Sequence, residues 1–265
     1  MANAAFWVDD ARPVSHIRLR YNGLFDVEHP DRAEYYVGND NDIINNNDQK
    51  LRAVADINEF RLYSETAIGQ TFGIFIDLPW RDYDQVQSNG EFGDTGFGDM
   101  IVGTKSVLLD SEIWVVSFQF STFIPTGAGD FLGTRHVSLE PSILTYTKMS
   151  RDCYVQFQSA FWIPLGGLQT GNVWHNRLSV NYVLCRILPD VPLIGTLEFV
   201  NYNVLTGGFD DNGVTGDGTG AYFGVGPGLR LDVCERIDVG VGSMFSLTDD
   251  FFESQGVRVD FRWRF

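Results

Sequence analysis

Two residues near the middle of the chain have the types and spacing of a nucleophile and its base. His136 and Ser138 are two apart, so on a β-strand they share one face. An imidazole beside a hydroxyl can start acyl transfer, but that chemistry also needs a group to orient the base and donors for an oxyanion. Ser138 is followed by Leu139 and Glu140, and nothing nearby supplies the missing parts. The chain therefore reads as no enzyme. Asp210, Asp211, Asn212 and Asp217 cluster in a glycine-rich stretch. Hard cations want several converging oxygens. The EF-hand spacing is absent, so a solvated acidic loop is expected rather than a metal site. No cofactor is called for. Charged side chains also alternate with apolar ones at both ends of the chain. His16, Arg18, Arg20 and Asn22 do so near the start, and Arg258, Asp260, Arg262 and Arg264 at the finish. Such rows can pair with each other, or select solutes across a narrow pore.

The elements that must carry these rows are strands. Period-two alternation is the dominant signal. Val257, Val259, Phe261, Trp263 and Phe265 share the face opposite the terminal charges. Similar strands read at 14–25, 57–66, 71–81, 97–109, 113–124, 136–148, 154–165, 175–187, 194–206, 221–233, 237–247 and 256–265. Most run about 10–13 residues, against a mode of about 5–6 in soluble sheets and about 9–11 in tilted membrane strands. Long polar linkers follow the odd strands, namely 26–56, 82–96, 126–135, 166–174, 207–220 and 248–255. The first is rich in Asn and Asp, including Asn45, Asn46, Asn47 and Asp48. Short turns follow the even strands at 67–70, 109–112, 149–153 and 232–236, with 187–193 a longer exception. That layout predicts an all-β fold, a single transmembrane antiparallel up-and-down barrel of about twelve strands, with long extracellular loops and short periplasmic turns. An even count returns both termini to the short-turn side. Residues 14–265 form the barrel in this reading. Residues 1–13 are an N-terminal periplasmic segment or a plug. Pro79, Pro125 and Pro164 close odd strands, where pairing stops. Pro141 and Pro227 fall inside strands and predict a bulge at each.

Outward, lipid-facing positions include Phe72, Ile74, Ile76, Leu78 and Trp80, then Trp114, Val116, Phe118, Phe120 and Ile124, then Leu178, Val180, Tyr182 and Leu184. Their alternates are polar or small: Ser117, Gln119 and Ser121; Gln156, Gln158 and Ala160; Arg177, Ser179 and Asn181. A wet bore accepts such groups and a dry core does not. The ninth strand, with Val200, Tyr202 and Val204 against Phe199 and Asn201, has ambiguous facing. Cys153 and Cys185 fall at the short-turn ends of neighbouring strands, where a disulfide is geometrically allowed, and Cys234 reads as free.

Composition sets the remaining limits. With 19 basic and 35 acidic residues the net charge is −16, which excludes a bare nucleic-acid binder. No run of about 18 apolar residues exists, so no transmembrane helix is expected. The opening MANAAFWVDD has no basic and apolar leader. It reads as a cytoplasmic start or, favoured by the small residues Ala2 to Ala5, as a processed export product. With the strand pattern, the second reading places the mature chain in a bacterial outer membrane, among its lipids.

The stretch from Phe92 to Gly167 carries FGDTGFGDMIVGTKSVLL, FSTFIPTGAGD, LEPSILTYTKM and FWIPLGG. It resembles the outer-membrane barrels of the phenol-degradation MetA-like group, related in style to long-chain fatty-acid channels. The matching positions are Gly96, Gly98 and Asp99 opening the fourth strand, and Pro125, Thr126 and Gly127 closing the fifth. The resemblance implies a barrel that passes small, often apolar or aromatic, compounds, and brings no catalytic residue. An aromatic end such as Phe265 is the feature that the barrel-assembly machinery reads in outer-membrane proteins.

The expected function is thus a porin-like channel for passive passage of small solutes. The alternative is a closed structural or surface-interaction barrel with acidic loops; a lipid-acting enzyme is the weakest reading. About twelve strands at ~4.8 Å spacing and ~40° tilt give a circumference near 75 Å and a backbone radius near 12 Å. A few side chains could control so narrow a bore. The candidates are His16, Arg18 and Arg20 on the first strand and Arg258, Asp260, Arg262 and Arg264 on the last, which must pair to close the ring. Glu59, Arg61 and Glu65 follow on the second strand, and Asp77, Asp99 and Glu140 on other walls, where Lys105, Glu198, Arg230 and Asp238 also point inward. The arginine wall either faces acids across a constriction or simply pairs with them. Inward Gly224, Gly226, Gly228, Gly240 and Gly242 free space for a solute or for Phe6, Trp7 and Val8, or only permit curvature.

Overall fold

The computed structural model describes residues 3–27, 54–87, 90–127, 132–166, 171–206, 220–248 and 254–265. The strands are β1 (His16–Val27), β2 (Val54–Ile68), β3 (Phe72–Gln87), β4 (Gly90–Phe97), β5 (Met100–Asp110), β6 (Trp114–Ile124) and β7 (Ser138–Lys148). They continue with β8 (Cys153–Pro164), β9 (Val173–Leu188), β10 (Val191–Val204), β11 (Gly220–Cys234), β12 (Ile237–Ser246) and β13 (Gln255–Arg264). All pairings are antiparallel, and β13 returns to β1 with His16 opposite Arg264 and Phe25 opposite Gln255. The sheet is thereby closed. β4 and β5 share one place in the ring, β5 along Phe72–Asp77 of β3 and β4 along Trp80–Gln87. Between them Gly98 N donates to Pro79 O at 2.9 Å. The thirteen strands therefore make twelve walls.

Alternation along each strand sorts the side chains as a bilayer requires. On β13, Val257, Val259, Phe261 and Trp263 are exposed, while Arg258, Asp260 and Arg262 are buried. On β6, Trp114 and Phe118 face out, and Ser117, Gln119 and Ser121 are buried inside. Tyr182 and Leu184 of β9 extend the apolar exterior, and Arg177, Ser179 and Asn181 of the same strand line the interior. The ninth expected strand, β10, resolves its facing in the same way. Leu197 and Phe199 are outward, and Glu198, Val200, Tyr202 and Val204 are inward. A sheet that is oily outside and charged inside is a membrane-spanning barrel, the inverse of a soluble one.

The structure departs from the sequence reading in four places. The linker 82–96 is mostly strand: β3 runs to Gln87 and β4 returns from Gly90, a hairpin standing beyond the β3–β5 contact. The linker 187–193 is a tight turn at Pro189 and Asp190, with Leu188 opposite Val191, like the other turns on that side. Neither Pro141 nor Pro227 makes a bulge. Each stays in register with one neighbour, Phe120 and Leu197 respectively, and the ladder lapses on the other side without a register shift. A missing N–H removes a rung; it does not by itself insert a residue. The three cysteines are free thiols, since Cys153 sits opposite Tyr182, three positions along β9 from Cys185. The turn at Gly69 uses φ +70°, which suits glycine. Asn45 to Asp48 and the 210–217 acidic cluster lie outside the described residues.

Candidate functional site

The bore is occupied by the chain's own start. Ala4, Ala5, Phe6, Trp7, Val8 and Ala11 are all buried, although they belong to no strand. Their backbone is irregular, so its polar groups need partners, and inward side chains supply them. Arg262 Nη2 donates to Asn3 O at 2.6 Å, and Arg230 donates to Ala4 O at 3.1 Å and Ala5 O at 3.4 Å. Phe6 O accepts from Arg258 Nη1 at 2.6 Å and from Arg20 Nη2 at 3.0 Å, and Trp7 O from Arg177 Nη1 at 3.1 Å. The N–H groups of Phe6 and Trp7 donate to the two oxygens of Glu198 at 2.7 and 2.9 Å. Further along, Asp9 accepts from Gln119 Nε2 at 3.1 Å, and Arg12 reaches Asp110 at 2.6 Å on the turn-side rim. A cavity of about 390 Å³ opens there, lined by Arg12, Glu112, Tyr146, Lys148 and Arg151.

The inward glycines make room for this segment. A β-carbon on Gly228, Gly240 or Gly242 would come within 2.6, 2.7 or 2.9 Å of the Phe6 ring. On Gly242 it would also lie 3.0 Å from Trp7. The guanidinium of Arg230 lies over the Phe6 ring and that of Arg258 over the Trp7 ring, each at 4.5 Å. At Gly224 and Gly226 the nearest atoms to an added β-carbon are instead those of Val200 and Met244, or the Ser243 backbone.

The arginines of β1 and β13 stand side by side on the inner face of the ring. Register places Arg18 opposite Arg262, Arg20 opposite Asp260, and Asn22 opposite Arg258. Their counter-charges come from their own side of the ring. Asp260 takes Arg20 at 2.8 Å and Arg230 at 2.9 Å. Asp238 takes Arg262 at 2.8 Å, with Arg230 and Arg264 also in contact. Arg262 also meets Asp10 of the segment at 2.9 Å. Arg18 lies 4.5 Å over the Tyr63 ring, with Asp9 at 4.0 Å, and the His16 ring stacks on Tyr63 at 5.3 Å. A second network covers β2 and β3. Glu59 accepts from Asn22 at 2.8 Å and Arg81 at 2.6 Å, Arg61 pairs with Asp77 at 2.8 Å, and Glu65 holds Lys105 at 3.0 Å and the Tyr63 hydroxyl at 2.7 Å. Glu140 stands apart from both, with His175 Nε2 at 3.0 Å. Asp99 sits between β4 and β5 and accepts from Gly127 N at 3.0 Å and Thr134 N at 2.7 Å, so it ties down a loop.

Sequence reasoning missed Arg81 as a site residue, and counted Arg177 and Glu198 only as wall positions. It also missed an apolar cluster that meets Phe6 and Trp7 inside the barrel: Tyr63, Phe75, Ile101, Phe123, Trp162, Val173, Val200, Tyr202, Val204, Tyr222 and Met244. Strand parity holds the signal for each, since Phe75 is in step with Asp77 and Tyr202 with Glu198. Apolar residues on the wet face are simply not what alternation leads one to look for.

Ser138 opens β7 with its hydroxyl buried and without a hydrogen-bond partner among the described residues. The nearest His in sequence, His136, has its Nδ1 at 2.6 Å from Thr134 O. Among the described residues, no three His, Cys, Asp or Glu side chains group as metal ligands.

A family model described as the putative MetA-pathway of phenol degradation matches residues 31–261. No curated protein matches the chain by sequence. Among solved structures, the chain is similar to the COG4313 outer membrane channel from Pseudomonas putida F1. The TM-score is 0.64 at 11% identity, covering 98% of this chain and 97% of that one. It is also similar to the beta domain of the Bordetella autotransporter BrkA (TM-score 0.58, 8% identity, 96% and 100% covered). The KdgM porin in complex with disordered oligogalacturonate is another (TM-score 0.55, 11% identity, 94% and 99% covered). At these identities the likeness is one of fold.

Proposed function

The chain belongs to the putative MetA-pathway of phenol degradation family, and from that premise we propose that it is a bacterial outer-membrane channel for passive passage of small, apolar or aromatic solutes. The observation that carries this reading is the contrast between wall and filling. Many inward positions are polar or charged, and what fills the bore is a segment that belongs to no strand, its backbone held by hydrogen bonds to wall arginines and its Phe6 and Trp7 rings packed on inward apolar side chains. Such a filling can leave without breaking the barrel. Residues 1–13 act as a plug on residues 14–265, and the arginine wall with Glu59, Arg61, Glu65 and Asp77 sets which solutes pass once the plug moves. The chain reaches its membrane through the barrel-assembly machinery, which reads the last strand ending at Phe265. Catalysis is not part of this reading.

Removal of residues 1–12 tests it. Single-channel conductance and liposome swelling with neutral, anionic and aromatic solutes should both rise. An unchanged, closed barrel after the removal would favour a structural or surface-interaction protein, a reading supported by the dense ion pairing of the interior. Lipid hydrolysis by the purified protein would contradict both.

A further inference from the structure

The Thr196 hydroxyl is buried in the wall of the bore with no hydrogen-bond partner among the described residues, and it is aimed at the edge of a ring. Resting on the channel reading, we propose that Thr196, Arg230 and the glycines beside them bind neutral single-ring aromatics that carry one hydroxyl. Phe6 takes the ring's place when such a solute is absent.

Three wall features carry this, and none of them is supplied by the segment. The first is the recess. Gly228 lies opposite Gly242 on β11 and β12, and a β-carbon on either would come within 2.9 Å of the Phe6 ring. The second is the cation beside it. The Arg230 guanidinium lies 4.5 Å over the ring, and its N–H groups meet Asp238 at 2.5 Å and Asp260 at 2.9 Å. Two wall carboxylates thus hold its edge, so it stays in place without the segment and offers its face to a π-system. The third is Thr196, 6% exposed and opposite Gly228 in register. Its Oγ1 and the edge of the Phe6 ring each lie 2.6 Å from the point where a β-carbon on Gly228 would stand. A phenylalanine ring has nothing to bond that oxygen.

This mismatch separates a solute from the segment. A tethered ring competes at an effective concentration of order mM for a short flexible link. A free ring gains over it by making a bond that the segment never makes. A hydroxyl on the ring can donate to Thr196 Oγ1 or accept from it, and so satisfies a buried group that is costly to leave alone. Charge points to a neutral ligand. The arginines around the recess already meet Asp238, Asp260 and Glu198, or are shared with the carboxylates of the segment, as Arg262 is with Asp10 and Arg18 with Asp9. Asp232 stands 4.0 Å from Arg264 on the same side. An added anion would face these acids as well as the arginines.

The test follows hydrogen exchange of residues 3–12 in the full chain in lipid nanodiscs, with all probes compared at equal free concentration. Benzyl alcohol is the probe. Toluene lacks its hydroxyl, cyclohexylmethanol lacks its π-face, and benzoate adds a charge. At ten times its dissociation constant for the emptied site, benzyl alcohol should speed exchange of the Phe6 and Trp7 amides roughly tenfold. Toluene should need about fivefold more for the same rate, the worth of one neutral hydrogen bond. Cyclohexylmethanol should need roughly tenfold more, for want of the cation–π contact. The near-isosteric Thr196→Val variant should bring benzyl alcohol and toluene together. No effect of benzyl alcohol, an equal effect of cyclohexylmethanol, a stronger effect of benzoate, or an unchanged preference in Thr196→Val would each overturn the proposal. The readout does not depend on conduction. A chain that answers benzyl alcohol but never conducts sinks the channel reading alone, and one that conducts without answering it sinks only the site.

Discussion

Replacing Phe6 by alanine separates a removable filling from a structural core. Phe6 is 1% exposed, its ring lies against three glycines, and the Arg230 guanidinium sits over it. Truncating a phenylalanine packed this closely costs about 3–5 kcal/mol, of which the cation–π contact supplies up to about 2. Where that loss falls is the question. The ring of strands closes through β13 and β1 without any help from Phe6. The cost should therefore fall on the equilibrium between docked and withdrawn segment, and leave barrel unfolding nearly untouched. At the low end, about 3 kcal/mol is roughly a hundredfold more withdrawn segment, since each ~1.4 kcal/mol is tenfold. Hydrogen exchange of residues 3–12 should accelerate by about that factor, and channel openings should become correspondingly more frequent, while strand amides keep their protection. If strand protection falls together with that of the segment, Phe6 belongs to the barrel's own core. If nothing changes, the segment is held by its polar contacts alone. Either result refutes the reasoning.

Three further outcomes are expected. Gly242→Leu pushes on Phe6 and Trp7 from the wall, where even a β-carbon lies 2.9 and 3.0 Å away. Overpacking of about 1–3 kcal/mol should expel the segment with the same exchange and conductance signature. Arg18→Ala combined with Arg262→Ala should shift ion selectivity towards cations, read as a changed reversal potential across a salt gradient. Unchanged selectivity would mean that the arginines only pair, Arg262 with Asp238 and Arg18 with Asp9. Phe118→Arg on the exterior of β6 should cost about 2–4 kcal/mol of folding free energy in bilayers, measured by denaturant titration in vesicles; no loss would mean that this face does not meet lipid.

Much of the architecture was legible because its cause is local. A strand turns each side chain over from its neighbour, so the contrast between Phe118 and Ser117, or Phe261 and Arg262, is present in the residue order. Closure was legible too, since a barrel has to join its first strand to its last, and His16 does lie opposite Arg264. The hairpin at 82–96 was not, because polar residues on a strand standing beyond the apolar belt look like a loop. The turn at Pro189 was hidden by the apolar residues around it, which alternation alone cannot assign to strand or turn. Asp99 shows a different limit. Its parity resembles that of a bore residue, but a break between β4 and β5 gives it to a loop.

By itself, then, the order of residues determined the number of walls, their two faces, and the arginines brought together where the ends of the chain meet. Only the folded ring decided what those arginines hold. Arg258 and Phe6 are 252 positions apart, and the bond between them depends on strand register, on the tilt of the closed sheet, and on space left by glycines of two other strands. Facing is a property of a single strand's covalent geometry; contact across a bore is a property of the whole circumference, and exists only once the circle is complete.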